Sequence, residues 1–417
     1  IRIGALKAKD RNALLAEMTD DVAAHVLRHN YDQTGALSLA ESSAAGDHDA
    51  LERLMVYLEE RGVLNRELEG LPSTAHMRLR QEAGAWLTRP ELAVLLAWSK
   101  IVLIDDVVAS DIPDDPYFES VLKSYFTKPI DTYDEAIRNH RLKREIIATV
   151  IANRSLDMAG PVPLLRVREM TGADNAAIVR GLEASRAVLD FDAFRREVDA
   201  LDNKVGADVQ IDMRIQAMQA MNEAASWYVR NMPGATVGEA VAQTHAPLNE
   251  FKTALGSVHS PFPAARIERA ARAFVKRGAP DALARWTAVM SHFAQGLVVI
   301  GLARAASVDV PNAGAAFYAI GDALRLDRLR ASAREGLAKA GYWDRIAGRR
   351  LVSELVRIQA AAAQEALAGG GVDAWLAERA EPRRELVATL GTLTKGKDWS
   401  FAKFTLSADA VRQFMGR

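Results

Sequence analysis

Cysteine is missing from all 417 residues. Disulfides, thiolate zinc sites, iron–sulfur clusters and a cysteine nucleophile are excluded with it. A chain without cysteine suits a reducing compartment. Aromatic residues are scarce at 6%, and with alanine so frequent the composition favours close helix packing over sheet. Neither sign of charge is in excess, because 53 Lys and Arg face 54 Asp and Glu. That balance gives no electrostatic ground for a nucleic acid or an anionic membrane as partner. No apolar run is long enough for a membrane span; the nearest, residues 293–306, is broken by Gln295 and Arg304 and reads as a buried helix. Sustained period-two alternation, a repeat of fixed length and a signal peptide are also lacking. Neither GxGxxG nor GxSxG occurs, which removes the dinucleotide fingerprint and the nucleophile elbow.

What remains is apolar residues at 49%, enough for a real core. They recur at three- and four-residue steps. The reading is all-α and multi-helical, with two helical subdomains and little or no sheet, as a chain of this length exceeds what one core usually serves. Residues 1–42 read as a helical extension, 43–160 as a first subdomain and 161–417 as a second, with Gly160-Pro161-Val162-Pro163 as the hinge. The first residue is Ile1 and not methionine, which reads as a fragment or a processed piece.

The clearest local signal lies in residues 87–153. Thr88-Arg89-Pro90-Glu91 has the form of a capping box with proline in the first turn. Leu92, Leu95, Leu96, Ser99, Leu103 and Val107 then mark one helix face. The prolines of Asp111-Ile112-Pro113-Asp114-Asp115-Pro116 end that helix, and a long helix capped by Asp131 is expected to run through Asn153. Upstream, Asn30-Tyr31-Asp32-Gln33-Thr34 is expected to interrupt an amphipathic helix, with Ser42 to Asp49 as a linker or helix start.

Each constellation that could carry chemistry has a plainer structural reading. Gly369-Gly370-Gly371 precedes Val372-Asp373, without the Lys and Ser or Thr of a phosphate loop, and reads as a linker. His25 and His29 have the four-residue spacing of a chelating pair but lack further ligands, so a solvated helix face is expected and no metal. Asp105, Asp106, Asp111, Asp114 and Asp115 flank helix ends, where aspartate caps and turns. Arg138, His140, Arg141, Lys143, Arg144 and Glu145 read as a solvated face or as ion-pair partners of those aspartates. The methionines of residues 213–221 read as core. Asn30, Tyr31, Gln33 and Thr34 fit neither a core nor a plain solvated face. They stand as a candidate interdomain contact, with a simple helix break as the alternative.

Several stretches, in order, resemble the C-terminal part of the large bacterial NAD-specific glutamate dehydrogenases. They include Arg11-Asn12-Ala13-Leu14-Leu15-Ala16-Glu17-Met18-Thr19 and His29-Asn30-Tyr31-Asp32-Gln33-Thr34. Leu87-Thr88-Arg89-Pro90-Glu91-Leu92-Ala93, Ala109-Ser110-Asp111-Ile112-Pro113-Asp114-Asp115-Pro116-Tyr117 and His140-Arg141-Leu142-Lys143-Arg144-Glu145 belong to the same set. So do Ala200-Leu201-Asp202-Asn203-Lys204-Val205 and Trp227-Tyr228-Val229-Arg230-Asn231. The resemblance is dense to about Met232 and loose beyond it. It implies a helical C-terminal domain without the catalytic core, since the family's dinucleotide fold and catalytic lysine and aspartate lie upstream of Ile1. No catalytic, cofactor-binding or metal residue carries over. For the parent it implies conversion of L-glutamate to 2-oxoglutarate and ammonia with NAD, in the cytoplasm, by a large homo-oligomer. The partner of this segment would be the upstream catalytic domain of the same chain, for packing, assembly and possible regulation. A free-standing helical scaffold for protein partners is the alternative reading, and a helical metalloenzyme using His25 and His29 a third.

Overall fold

The computed structural model describes residues 6–394 and 399–416. Among the described residues, helices carry all the regular structure and no strand occurs. The all-α, multi-helical expectation therefore holds. The helices are α1 (Arg11–Glu17), α2 (Thr19–Glu60), α3 (Thr74–Glu82), α4 (Arg89–Ala109), α5 (Glu119–Tyr125), α6 (Asp134–Arg138), α7 (Lys143–Asp157), α8 (Val162–Thr171), α9 (Asn175–Val188) and α10 (Phe191–Asp199). They continue as α11 (Ala207–Asn231), α12 (Val237–Val258), α13 (Pro261–Lys276), α14 (Asp281–Ala306), α15 (Val310–Ala323), α16 (Leu326–Leu337), α17 (Tyr342–Ala368), α18 (Val372–Glu378), α19 (Ala380–Leu393) and α20 (Phe401–Phe414). By its contacts the chain forms two units, Ile1–Ala184 with Tyr228–Ala240, and Ser185–Trp227 with Val241–Arg417.

In the first unit α4 is the central helix, packed on α2 and α7. Its start is the capping box that the sequence indicates. The Glu91 carboxylate accepts from the Thr88 N–H at 2.7 Å and from the Thr88 hydroxyl at 2.8 Å. Arg80 of α3 adds a two-pronged pair to the same carboxylate at 2.8 and 2.9 Å, which holds Glu91 below its usual pKa despite partial burial. Leu92, Leu95, Leu96, Ser99, Leu103 and Val107 are all buried, so the expected face is the real one.

Two expected breaks fall differently. The polar run at residues 30–34 does not interrupt its helix, and residues 42–49 are no linker, because α2 passes through both without a break. Arg28 pairs with Asp32 one turn on at 2.7 Å, and the Thr34 hydroxyl donates to the Tyr31 carbonyl at 2.9 Å. Local polar bonds that stay within helical geometry do not end a helix. Conversely, the long helix expected from Asp131 to Asn153 is divided. A 3-10 stretch covers Lys128–Tyr133, α6 follows, and residues 139–142 form a turn before α7. Here the His140 ring accepts the Leu142 N–H at 3.2 Å, taking a donor that a helix would use.

In the second unit α14 packs on α13, α15 and α17. By length and composition α14 is apolar enough to cross a membrane. In this fold its residues Leu283, Ala284, Met290, Leu297, Ile300 and Ala303 are buried among those neighbours, as expected of a core helix. Gly296 allows the close approach of α12, since a Cβ there would lie 2.6 Å from the side chains of Leu248 and Phe251. Met213, Met218 and Met221 of α11 are core residues, as their spacing indicates. The glycine run at residues 369–371 is the turn between α17 and α18, with Gly370 and Gly371 at φ 94 and 105°.

One feature of α12 is unusual: Pro247 lies inside the helix. Proline has no N–H, so the carbonyl four residues earlier loses its helical partner. That carbonyl belongs to Gln243, and the Arg304 guanidinium of α14 donates to it at 2.5 Å. The arginine replaces the bond that the proline deletes. Arg304→Met is expected to lower stability by about 1 kcal/mol in urea denaturation. In a Pro247→Ala background the same substitution should cost clearly less, because alanine at that position supplies its own N–H. Equal losses in both backgrounds would show that Arg304 acts by another route.

Candidate functional site

The proposed contact residues lie in the N-terminal half of α2. Asn30, Gln33 and Thr34 are exposed, while Tyr31 is half-buried with the Arg28 guanidinium 5.0 Å from its ring centre. Arg89, at the start of α4, reaches across to the Thr34 carbonyl at 2.9 Å and to the Ser38 hydroxyl at 3.1 Å. The structure therefore places Asn30, Gln33 and Thr34 on one open surface and anchors its base.

Beside this half of α2 is a cleft of 610 Å³ whose lining includes Asp21, His25, Lys123, Lys128, Asp131 and Asp134. His25 thus faces the cleft, and His29 is exposed. Among the described residues no group of three or more His, Asp or Glu side chains is placed to hold a metal. The charges in the cleft are mixed and partly matched, with Lys123 paired to Asp134 at 2.6 Å. A shallower depression in the second unit, of 390 Å³, is lined by Trp286, Val289 and Phe293 with Lys252. Its lysine is engaged by the Val188 carbonyl at 2.9 Å and by Asp190 at 2.7 Å.

Of the basic run, Arg144 meets the acidic run, and arginines from elsewhere in the unit take others of its aspartates. Arg144 donates to the Val108 and Ser110 carbonyls at 2.8 and 2.6 Å and pairs with Asp114. Arg180 takes Asp111, and Arg61 grips Asp106 with two bonds of 3.0 and 2.7 Å. Asp115 caps the turn at the Tyr117 N–H, 2.9 Å, and also accepts from the Val237 N–H at 3.0 Å. These carboxylates are occupied in holding helix ends, which is the structural reading of the acidic run.

Sequence reasoning missed the most perturbed set of side chains, a cluster in the core of the second unit. His259, His292 and Tyr318 meet as an aromatic cluster, His259 standing edge to face with both partners, its ring centre 4.6 Å from that of His292 and 4.5 Å from that of Tyr318. The Tyr318 hydroxyl stands 3.3 Å from His292 Nδ1. The three come from a helix end, α14 and α15, and no short-range spacing links them. Burial pushes His259 down to about 4. His292 is held well below its usual value by burial first, then by the positive field of His259, Arg334, Arg330 and Arg266. Beneath them Arg330 is buried against Asp327 at 2.5 Å and against Gln359, whose amide donates to the Phe317 carbonyl at 2.6 Å. Burial raises the Asp327 carboxyl in spite of that pair. The cluster has no opening to a substrate in either depression described above, and its chemistry is that of a neutral imidazole core.

A histidine whose folded pKa is depressed costs no stability above pH 6.5. Stability is lost as pH falls through that unfolded value and towards the folded one. A histidine that stays neutral when folded removes up to about 2 kcal/mol by pH 5. His292→Gln is therefore expected to flatten the fall in melting temperature between pH 7 and pH 5. An unchanged slope would show that His292 does not drive the acid sensitivity.

The glycine run is not built as a phosphate site. The glycine run precedes α18, of seven residues, and Asp373 stands in that helix's first turn, where it would repel a pyrophosphate. Among the described residues there is no strand from which a dinucleotide fold could be built.

A family model described as "Glutamate dehydrogenase, C-terminal" matches residues 84–413. A second, described as "Bacterial NAD-glutamate dehydrogenase, catalytic domain", matches residues 1–40. Proteins named NAD-specific glutamate dehydrogenase from Halomonas elongata and Pseudomonas aeruginosa are 35% and 34% identical, each over 78% of this chain. The one from Mycobacterium tuberculosis is 30% identical over 79%. In each case the match spans 20% of the relative's own length. With the C-terminal model covering most of its residues, the chain belongs to the glutamate dehydrogenase C-terminal family.

Proposed function

We propose that this chain is the helical, non-catalytic C-terminal part of an NAD-dependent glutamate dehydrogenase. In the whole protein the reaction would be oxidation of L-glutamate with NAD and water to 2-oxoglutarate, ammonia and NADH. The observation that carries the reading is the match of residues 84–413 to the C-terminal family beside that of residues 1–40 to the catalytic one. The three relatives carry NAD-specific glutamate dehydrogenase as their name and are about five times as long as the matched stretch. NAD and the reacting residues would then lie upstream, in a catalytic domain on which this helical region packs. Its work would be mechanical: to support that domain, to assist assembly of a cytoplasmic homo-oligomer and to transmit regulation. The occupied arginines and aspartates of the first unit suit such a part, because they fix helix ends instead of facing a substrate.

The purified 417-residue chain is expected to unfold cooperatively on heating. It should show no glutamate-dependent NADH production at 340 nm and no heat of NAD binding by calorimetry. Turnover by the purified chain would overturn the non-catalytic assignment.

A further inference from the structure

The N-terminal half of α2 is amphipathic in the wrong sense for a helix that only packs on its own unit. Asp21 and His25, four residues apart, line the cleft, and Arg28 and Asp32, continuing the same row at three- and four-residue steps, are part-exposed and paired with each other at 2.7 Å. Val22, Val26 and Leu27 lie off that row and stand 45%, 53% and 68% exposed. From Ala36 onward the helix returns to ordinary burial, with Ala36, Leu39, Ala40 and Ala44 in the core. A single exposed leucine needs no explanation, but three exposed aliphatic side chains within six residues beside a polar row form a patch of the kind that marks an interaction surface. Asn30 lies next to Val26 and Leu27 on the helical surface, and Gln33 and Thr34, one turn beyond Asn30, extend it into a neutral hydrogen-bonding rim at that end of the patch.

We propose that Val22, Val26 and Leu27, rimmed by Asn30, Gln33 and Thr34, are the docking surface for the catalytic domain that the relatives carry upstream. This rests on the reading of the chain as the C-terminal part of a glutamate dehydrogenase. The occupant follows from where the patch falls. It lies wholly within residues 1–40, which match the catalytic-domain family, and outside residues 84–413, which match the C-terminal one. The helix is thus shared. Its first half completes the apolar core of the upstream domain, and its second half is core of the helical unit. Charge agrees, because the patch carries no ionised side chain and needs none on its partner. A continuous helix across the junction sets the orientation of one domain on the other without a flexible linker.

The test places a photo-crosslinking phenylalanine analogue at Val22 or Leu27 in the full-length protein and maps the products by mass spectrometry. The expected product is a link within one chain to a residue of the upstream catalytic segment. Val22→Asp with Leu27→Asp should lower NAD-dependent glutamate oxidation by the full-length protein tenfold or more. The same double substitution should leave the melting temperature of the 417-residue chain within 2 °C, on the order expected for exposed sites. Links only to a second copy, links to the helical units, or no links would overturn the proposal, as would a full-length protein without an upstream catalytic segment. If the full-length protein crosslinks as expected but does not oxidise glutamate, the docking stands and the enzymatic reading fails. If it oxidises glutamate and the double variant is unimpaired and unlinked, the enzymatic reading stands and the docking fails.

Discussion

Every helix ends with carbonyls that have no helical partner, and a fold without strands must satisfy a great many of them. In this chain basic side chains from other elements reach many of these groups. Arg144 takes two carbonyls at the end of α4, and Arg230 takes the Met170 carbonyl at the end of α8, 2.6 Å away. Lys252 takes the end of α9, and Arg304 the carbonyl orphaned by Pro247. Each bond joins two distant stretches of sequence. Helix termination and tertiary packing are therefore one problem here, with one solution. Arginine suits it because several fixed N–H groups can serve a carbonyl and a carboxylate together, as Arg144 does with Ser110 and Asp114.

That constraint explains what could be seen beforehand. The capping box at Thr88 and Glu91 is local, so four residues suffice to show it, and the buried face of α4 follows from its spacing. A second box, Thr236 with Glu239, has the same pattern and the same reciprocal bonds of 2.9 and 3.2 Å. It was equally legible and lacks only the proline and the long apolar stripe that draw the eye to the first. The acidic and basic runs were visible as clusters, and their mutual pairing was a reasonable expectation. Which aspartate meets which arginine depends on how α4, α7 and α9 pack, which spacing does not contain.

Polar residues are ambiguous punctuation, and here sequence and structure part. Asn30 to Thr34 looks like a break because these side chains often bond to nearby backbone and compete with a helix. In α2 they bond in helical register or face outward, and the helix spans 42 residues. At Asn139 and His140 similar side chains do break the helix. The difference lies in context: α2 is braced by Arg89 at the Thr34 carbonyl, whereas the turn at residue 140 frees Arg144 to reach the end of α4. The functional candidates fared in the same way. Asn30, Gln33 and Thr34 stood out by residue type alone, whereas the exposure of Val22, Val26 and Leu27 needed the structure.

The buried network of the second unit shows the cost that such a domain accepts. Arg330 and Asp327 are removed from water, and a hydrophobic replacement of a pair like this is often as stable. Their geometry is demanding. A Cβ at Gly321 would come within 2.7 Å of Asp327 Oδ2, so only glycine lets α15 approach the carboxylate. Gln359 closes the set by bridging Arg330 to the Phe317 carbonyl, which ties α15, α16 and α17 in one arrangement. Apolar side chains could fill the same volume in several registers, but a buried charge that must find two specific partners permits one. The buried network thus trades the last increment of stability for a single arrangement of α15, α16 and α17.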